Sequence, residues 1–444
     1  MKQLRTTLLV IVTLALTMLQ AHARSLEVDI YGPGQAALNL TTTEPLGTAG
    51  AAGPIIPAPP MGGELKSLID RNLYFLPFIN IVEGSAILGG NKPAGYKTPD
   101  VDMRRYQLAG VDLIVTAGWP TPVPGKAPSV ELRVYEVLSG KLVLGKAYYD
   151  ITPEILPRVA DRFCADFMKA LTGRGDFFLS TLAFVKKAGK RQKDIWSVHP
   201  TGRDMRQLTK LPGLSLSPSW SPDGRYIIFS HISDRYHSLG VWDRLTRRVQ
   251  HIKFPGNTII GPTFLPNNKV AVSLASGGNP DIYLLNHVFK KESTLVENWA
   301  IDVSPSFDAT GTKMAYVSSR RGNPHIFLKN LKTGSDERVT REGNYNTSPS
   351  ISPDGELVAF SRMINGGHRI FVMDLVTGRE KQVTFGPGTD EMPSFAPDGY
   401  FLAFSSTRSG QNKIYLTTRH GGEPRQVPTG DGEASMPTWG FVPE

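Results

Sequence analysis

The second half of the chain repeats itself about every 44 residues, and that period limits the fold more than any other feature. "SPSWSPDGRYIIFS" begins at Ser217, "GPTFLPNNKVAVSL" at Gly261, "SPSFDATGTKMAYVSS" at Ser304, "SPSISPDGELVAFS" at Ser348 and "MPSFAPDGYFLAFSS" at Met392. The intervals are 44, 43, 44 and 44 residues. A period in this range marks a four-stranded sheet repeated as the blade of a β-propeller. Each unit parses into strands on physical grounds. A short strand runs into Ser221-Pro-Asp-Gly224. Proline presets φ for the turn, Asp suits the next position, and glycine accepts positive φ at the end. In the second unit Asn268 stands where the others have glycine. Asn is the non-glycine residue that best tolerates left-handed backbone.

A second strand follows as a nearly continuous apolar run, at residues 226–229, 270–272, 314–317, 357–360 and 401–404. Such runs suit strands covered on both faces. The third strand carries Val241-Trp242, Ile282-Tyr283, Ile326-Phe327, Ile370-Phe371 and Ile414-Tyr415. The fourth is more polar ("ERVT", "KQVT", "RQVP"). Charge of that kind discourages a sheet edge from pairing with other molecules.

Upstream, "LAFVKK" (182–187), "DIWSVHPTG" (194–202) and "RQLT" (206–209) match the second, third and fourth strands of a unit without its first. At the other end "MPTW" starts at Met436, 44 residues after Met392. The two partial ends complete one another. The spacing therefore predicts an all-β six-bladed β-propeller over 176–444, closed by the C-terminal strand, with residues 437–441 beside 182–187.

The first half reads differently, so the chain is multi-domain. Residues 24–175 are expected to form a small α/β domain with an extended N-terminal arm at 25–40. The Pro/Gly/Ala-rich stretch 41–63 reads as a loop. "GELKSLIDRNLYF" and "PDVDMRRYQLAG" read as helices, "VDLIVTAGW" as a buried strand, and 129–151 as a hairpin turning at Ser139-Gly140. A helix over 153–171 ends at Gly173. Before all of this, Lys2 and Arg5 precede the apolar run "LLVIVTLALTML", and Ala21-His22-Ala23 forms an A-x-A site. These mark residues 1–23 as a signal peptide cut between Ala23 and Arg24. The run is shorter than the ~20 residues a spanning helix needs.

Loss of Lys2 and Arg5 lowers the formal charge from +9 to +7. That is mild for this length and points to solubility rather than nucleic-acid binding. The single cysteine, Cys164, permits no internal disulfide and reads as a small buried hydrophobe. The sequence has no Gly-x-Ser-x-Gly, no His-Glu-x-x-His and no P-loop, and its nine His residues lack ligand spacing. No catalytic, metal or cofactor site is expected. The recurring Asp223, Asp354 and Asp398 read as turn chemistry.

Strand direction alternates within a blade. The "SPDG" turns thus share one rim with the strand three-to-four turns. The opposite rim gathers longer, varied loops that bear Arg235, Arg320, Arg321, Arg362 and Arg408. The blade-to-blade connections add Thr258, Asp302, Asn346, Asp390 and Glu433 near the channel mouth. Variable loops on a rigid scaffold are where binding usually resides.

Taken together, the α/β domain, the junction "LTGRGDFFLSTLAFV" and the "SPSWSPDG…AFS…IY…G…LT" units resemble the TolB family, periplasmic propeller proteins of the Tol–Pal cell-envelope system. The resemblance implies a non-enzymatic, monomeric scaffold. It implies a Pal-like lipoprotein partner at the channel mouth and a TolA-like partner at the N-terminal arm, where Glu27, Val28, Asp29 and Ile30 would add as a strand. It implies roles in outer-membrane integrity and cell division. The family's Pal-contacting loop precedes a strand matched here by Gly261-Pro262-Thr263-Phe264, and Thr258 or Ile259 stands where the family has histidine. A periplasmic propeller enzyme or binder acting on envelope polysaccharide is the alternative. His, Asp or Glu side chains converging in the channel would favour it.

Overall fold

The computed structural model describes residues 37–49, 53–122, 125, 127–254, 258–275 and 278–441. The expected signal peptide with Ala23 and Arg24, and the arm residues Glu27, Val28, Asp29 and Ile30, lie outside the described residues.

The N-terminal part is one mixed sheet with helices against it. Its strands are β1 (Leu38–Thr42), β2 (Leu46–Thr48), β3 (Ile55–Pro57), β4 (Ile79–Ile81), β5 (Leu113–Pro120), β6 (Ser129–Glu136) and β7 (Leu142–Tyr149). β5 is the hub. β1 pairs parallel with its first half and β2 with its second, while antiparallel β6 follows its other edge. This corrects two sequence readings. Leu38 to Leu40, expected at the end of a free arm, belong to β1 inside the sheet. The supposed loop at 41–63 contains β2 and β3, paired as a hairpin at Gly47↔Ile56. Composition suggested a loop there, but burial of Leu46, Gly47 and Thr48 beside β5 wins. A Cβ on Gly47 would lie 2.5 Å from the Pro57 carbonyl, so glycine is what lets β3 come close.

Among the described residues three α-helices, α1 (Pro60–Tyr74), α2 (Met103–Leu108) and α3 (Leu156–Thr172), pack with this sheet. α3 buries Val159, Phe163, Cys164, Phe167 and Leu171 along one stripe and packs on α1. Gly173 ends it at φ 75, its N–H bonded to the Lys169 carbonyl.

From Ser180 on, every element is a strand. Four antiparallel four-stranded sheets occupy 258–296, 302–338, 346–382 and 390–426. The remaining eight strands fall into two sets of four, bridged by the single pair Leu214↔Lys193. One set draws on both ends of the repeat region. The C-terminal strand Ala434–Phe441 lies antiparallel to Ser180–Gly189, from Ala434↔Lys186 to Phe441↔Ser180.

The innermost strand of each set slips register at the same place. There Ser217, Gly261, Ser304, Ser348, Met392 and Met436 take positive φ between 51 and 57. A proline follows each. Five of the six are not glycine, and left-handed backbone costs such residues roughly 1–2 kcal/mol each. The bulge turns the following positions toward the next sheet. Ser219 Oγ accepts from the Phe264 N–H (3.2 Å), Ser306 from Ile351 (3.0 Å) and Ser350 from Phe395 (3.0 Å). The Trp439 indole donates to the Ser394 carbonyl at 2.9 Å. The local strain thus recurs where neighbouring sheets are tied at their inner edges. The inner strands touch in succession, and Ala434–Phe441 also touches Leu214–Trp220.

Candidate partner-binding rim

The N-terminal part sits on the rim that carries the "SPDG" turns. Arg174, just past α3, donates to the Asp398 carbonyl at 2.8 Å and pairs with Asp354 at 3.3 Å, two turns of that rim. Phe177 packs on Phe401 (4.1 Å between centroids) and Trp439 (5.8 Å), and Phe78 meets Tyr400 edge-on. One apolar core therefore runs from Leu73 and Phe163 through Phe177 into the sheets. Beside it, Arg203 and Asn72 hold the half-buried carboxylate of Asp161. Burial keeps His199 neutral, down to about 3, so Arg203 rather than an imidazolium is the counter-charge there. The turn aspartates do turn chemistry, as expected. Asp223 accepts from the Ser221 hydroxyl (2.6 Å) and the Arg225 N–H (3.0 Å).

On the opposite rim the structure divides the expected binding residues in two. Asp302, Asn346 and Asp390 are fully buried, each 0 % exposed. Asp390 takes the Ser406 hydroxyl at 2.6 Å and the Arg408 guanidinium at 2.9 and 3.1 Å. Asn346 accepts from Arg362 Nε at 2.8 Å, and Arg362 also grips Glu380 with both Nη atoms, at 3.0 and 2.7 Å. Arg320 holds Asp336 in the same two-point fashion and lies 3.9 Å over the Phe327 ring. Burial pushes the Asp302 carboxyl up to about 6. Arg235 and Arg321 are exposed, Thr258 is half-buried, and the half-exposed Glu433 pairs with Lys187 at 2.9 Å. Six of the expected contacts are thus already committed inside their own blades. The strand matched by Gly261-Pro262-Thr263-Phe264 is an inner one, with Thr263 bonded to the Pro305 carbonyl.

Sequence reasoning missed the apolar side chains of this rim. Trp299, Ile301, Tyr345, Met363 and Phe385 are exposed on consecutive loops and strand ends. The loops support one another: Met363 N–H bonds to the Tyr345 carbonyl, Tyr345 packs on His368, and Arg369 holds the Gly388 carbonyl. Ile301 and Tyr345 stand 44 residues apart at one place in the repeat, but Trp299, Met363 and Phe385 have no large apolar counterpart one period away, so the period hides them. Their signal was irregularity, large apolar residues in loops that should be polar.

Between the rims lies a central cavity of about 250 Å³, lined by the six bulged triplets, Ser217-Pro-Ser219 through Met436-Pro-Thr438. The lining is Ser, Pro, Thr, Gly and Met, without a carboxylate or imidazole. Among the described residues no group of three or more His, Cys, Asp or Glu is placed to hold a metal ion. Nor, among them, is any helix long and apolar enough to cross a membrane.

Fold and site define a β-propeller with a small α/β part seated on one rim and the other rim left uncovered by the described residues. Residues 168–442 match the TolB beta propeller domain family. The chain is 63% identical over 300 residues to the Tol-Pal system protein TolB of Nitratidesulfovibrio vulgaris, covering 68% of this chain and 67% of that one. It is 31% identical over 293 residues to the protein TolB homolog of Chlorobium luteolum, covering 66% of this chain and 64% of that one. The crystal structure of TolB from Acinetobacter baumannii superposes with a TM-score of 0.77 at 19% identity, over 91% of this chain and 97% of that one. The chain belongs to the TolB family, and with it to the Tol–Pal system.

Proposed function

We propose that the protein is a non-enzymatic periplasmic scaffold that binds a Pal-like lipoprotein on its loop-rich rim. In this reading residues 1–23 are a cleaved signal peptide, 24–175 form the α/β domain, and 176–444 form a six-bladed propeller closed by its C-terminal strand. The observation that carries it is the exposed crescent of Trp299, Ile301, Tyr345, Met363 and Phe385, on the rim the N-terminal part leaves free. Aromatic and methionine side chains of this kind dominate protein interfaces. Arg235, Arg321, Thr258 and Glu433 would form its polar border. Asp302, Asn346, Asp390, Arg320, Arg362 and Arg408 would stiffen the loops from beneath.

A TolA-like partner would take the arm through Glu27, Val28, Asp29 and Ile30, by strand addition. Together the two contacts would serve outer-membrane integrity and constriction at division. The test is co-purification of the mature chain with the periplasmic domain of its own Pal-like lipoprotein. A folded chain that retains none of it refutes the reading. Deletion of 24–36, which spares β1, should leave that complex intact and abolish binding of the TolA-like partner.

A further inference from the structure

One part of the exposed rim is a pocket rather than a surface. A cavity of about 340 Å³ opens between the strand Asp281–Leu285 and the loop 297–301, with Asp281, Tyr283, Asn298 and Trp299 in its wall. Trp299 is 73 % exposed, yet its position is set. Its carbonyl is held by the Asn279 amide, and Asn298 beside it bonds to both Asp281 and Asp302. The indole is therefore presented to solvent by an anchored backbone.

The surroundings are negative. Asp281 lines the pocket and Glu297 stands exposed next to Asn298. Burial, then Asp281 and Glu297, push the Tyr283 phenol up. Asp302 lies fully buried close by, its Oδ2 accepting from the Asn298 amide. The chain's own nearby cations have other partners. Lys291 Nζ lies 3.5 Å above the Tyr283 ring, and Arg320 is held in place by Asp336. Among the described residues no cation covers Trp299. A flat aromatic face beside an acidic group is what a positively charged side chain seeks. A neutral sugar could stack on the indole, but it would leave the carboxylates uncompensated.

We propose that this pocket receives a lysine or arginine side chain of the protein partner, stacked on Trp299 and paired with Asp281. The assignment rests on the partner-binding reading of the rim and adds the chemistry by which that partner is recognised. It also places a fixed point of orientation at one end of the apolar crescent, where a single cation would set the partner's register.

The experiment has two arms. In the first, the indole N–H signals of the labelled mature chain are followed by NMR, with Trp299 assigned by its loss in Trp299→Phe. Nα-acetyl-lysine amide, the neutral Nα-acetyl-norleucine amide and N-acetylglucosamine are added in turn. A saturable shift of the Trp299 signal is expected with the lysine compound, about five- to tenfold weaker in Asp281→Asn and absent with norleucine. Equal shifts from lysine and norleucine, a shift from the sugar alone, or no effect of Asp281→Asn would each overturn the inference. In the second arm, Trp299→Ala and Asp281→Asn are expected to weaken the complex with the Pal-like domain by roughly tenfold. A complex of unchanged strength in both variants overturns the pocket assignment and leaves the rim reading standing. No complex with the unaltered chain overturns the rim reading, and the lysine titration alone then decides the pocket.

Discussion

The two rims are made by the same strands, yet they do opposite things. On one rim, short hairpin turns of nearly constant sequence give a regular seat. Arg174 and Phe177 fasten the N-terminal part to it through Asp354, Asp398 and Phe401. On the other rim, loops of varied length are left uncovered by the described residues and expose apolar side chains. Three of its arginines point inward. Arg320, Arg362 and Arg408 each grip an acid of their own blade while lying over a ring, Phe327, Phe371 or Tyr415. The comparison teaches a division of labour. Regular turns suit permanent docking, while loops held still from below leave their apolar tips free for the partner proposed above.

The strongest way to break this comparison is to remove what both rims depend on. The strand Ala434–Phe441 is shared by the N-terminal core, through Trp439 against Phe177, and by the inner-edge ties, through Trp439 and Ser394. Deleting 436–444 should therefore unfold the propeller as a whole, with a single lowered melting transition. Hydrogen exchange that speeds up only in Ser180–Gly189, and nowhere else, would show instead that one edge frays and that the sheets stand independently.

A second test separates the rims by cutting beneath one of them. Arg362→Ala leaves the half-buried Glu380 without its cation and the buried Asn346 without its donor. Stranding such groups costs about 1–3 kcal/mol. Arg321→Ala, at an exposed arginine of the same rim, should change stability by less than about 0.5 kcal/mol. Denaturant titration of the two variants checks the contrast. Equal losses would mean that the buried pairs do not stiffen the rim.

How much of this was legible in the sequence follows from what repeats. The turns, the apolar second strands and the position of the C-terminal strand beside Ser180–Gly189 came from a period that physics imposes on every blade. The pairs Arg320–Asp336 and Arg362–Glu380 were missed because their partners lie 16 and 18 residues apart and meet only by reaching across the intervening third strand of the sheet. A charge on a loop-rich rim looks free in sequence, and only the facing strand reveals its partner. Trp299 and Phe385 were missed because they occur once. β2 and β3 were hidden for another reason: Pro and Gly dominate 41–63, and these strands exist through the pairing of β2 with β5 and of β3 with β2 rather than through propensity.

The third test uses one turn residue in two settings. Asp223 and Asp398 hold the same place in their hairpins, 175 residues apart. At Asp223 burial is outweighed by the Ser221 hydroxyl and the Arg225 N–H, and the carboxyl falls below its usual range. At Asp398 the docked N-terminal part excludes water. Burial outweighs the N–H groups of Tyr400 and Phe401 and raises the carboxyl to about 6, with Oδ2 unpartnered. The sign follows from linkage. Below about pH 4 Asp398 is protonated both folded and unfolded. As pH rises through about 6 the fold must hold a buried charge that the unfolded chain would hydrate, so stability is lost over that window. Asp398→Asn keeps an acceptor for the two N–H groups and removes the charge. It should stabilise the protein above pH 6 by up to about 3 kcal/mol and change little near pH 4. Asp223→Asn should do the reverse in direction, removing a carboxylate that the folded turn favours. Denaturation at pH 4 and pH 7.5 distinguishes the outcomes. If Asp398→Asn has the same effect at both, Asp398 is not covered by the docked part, and the two rims are equally open to water.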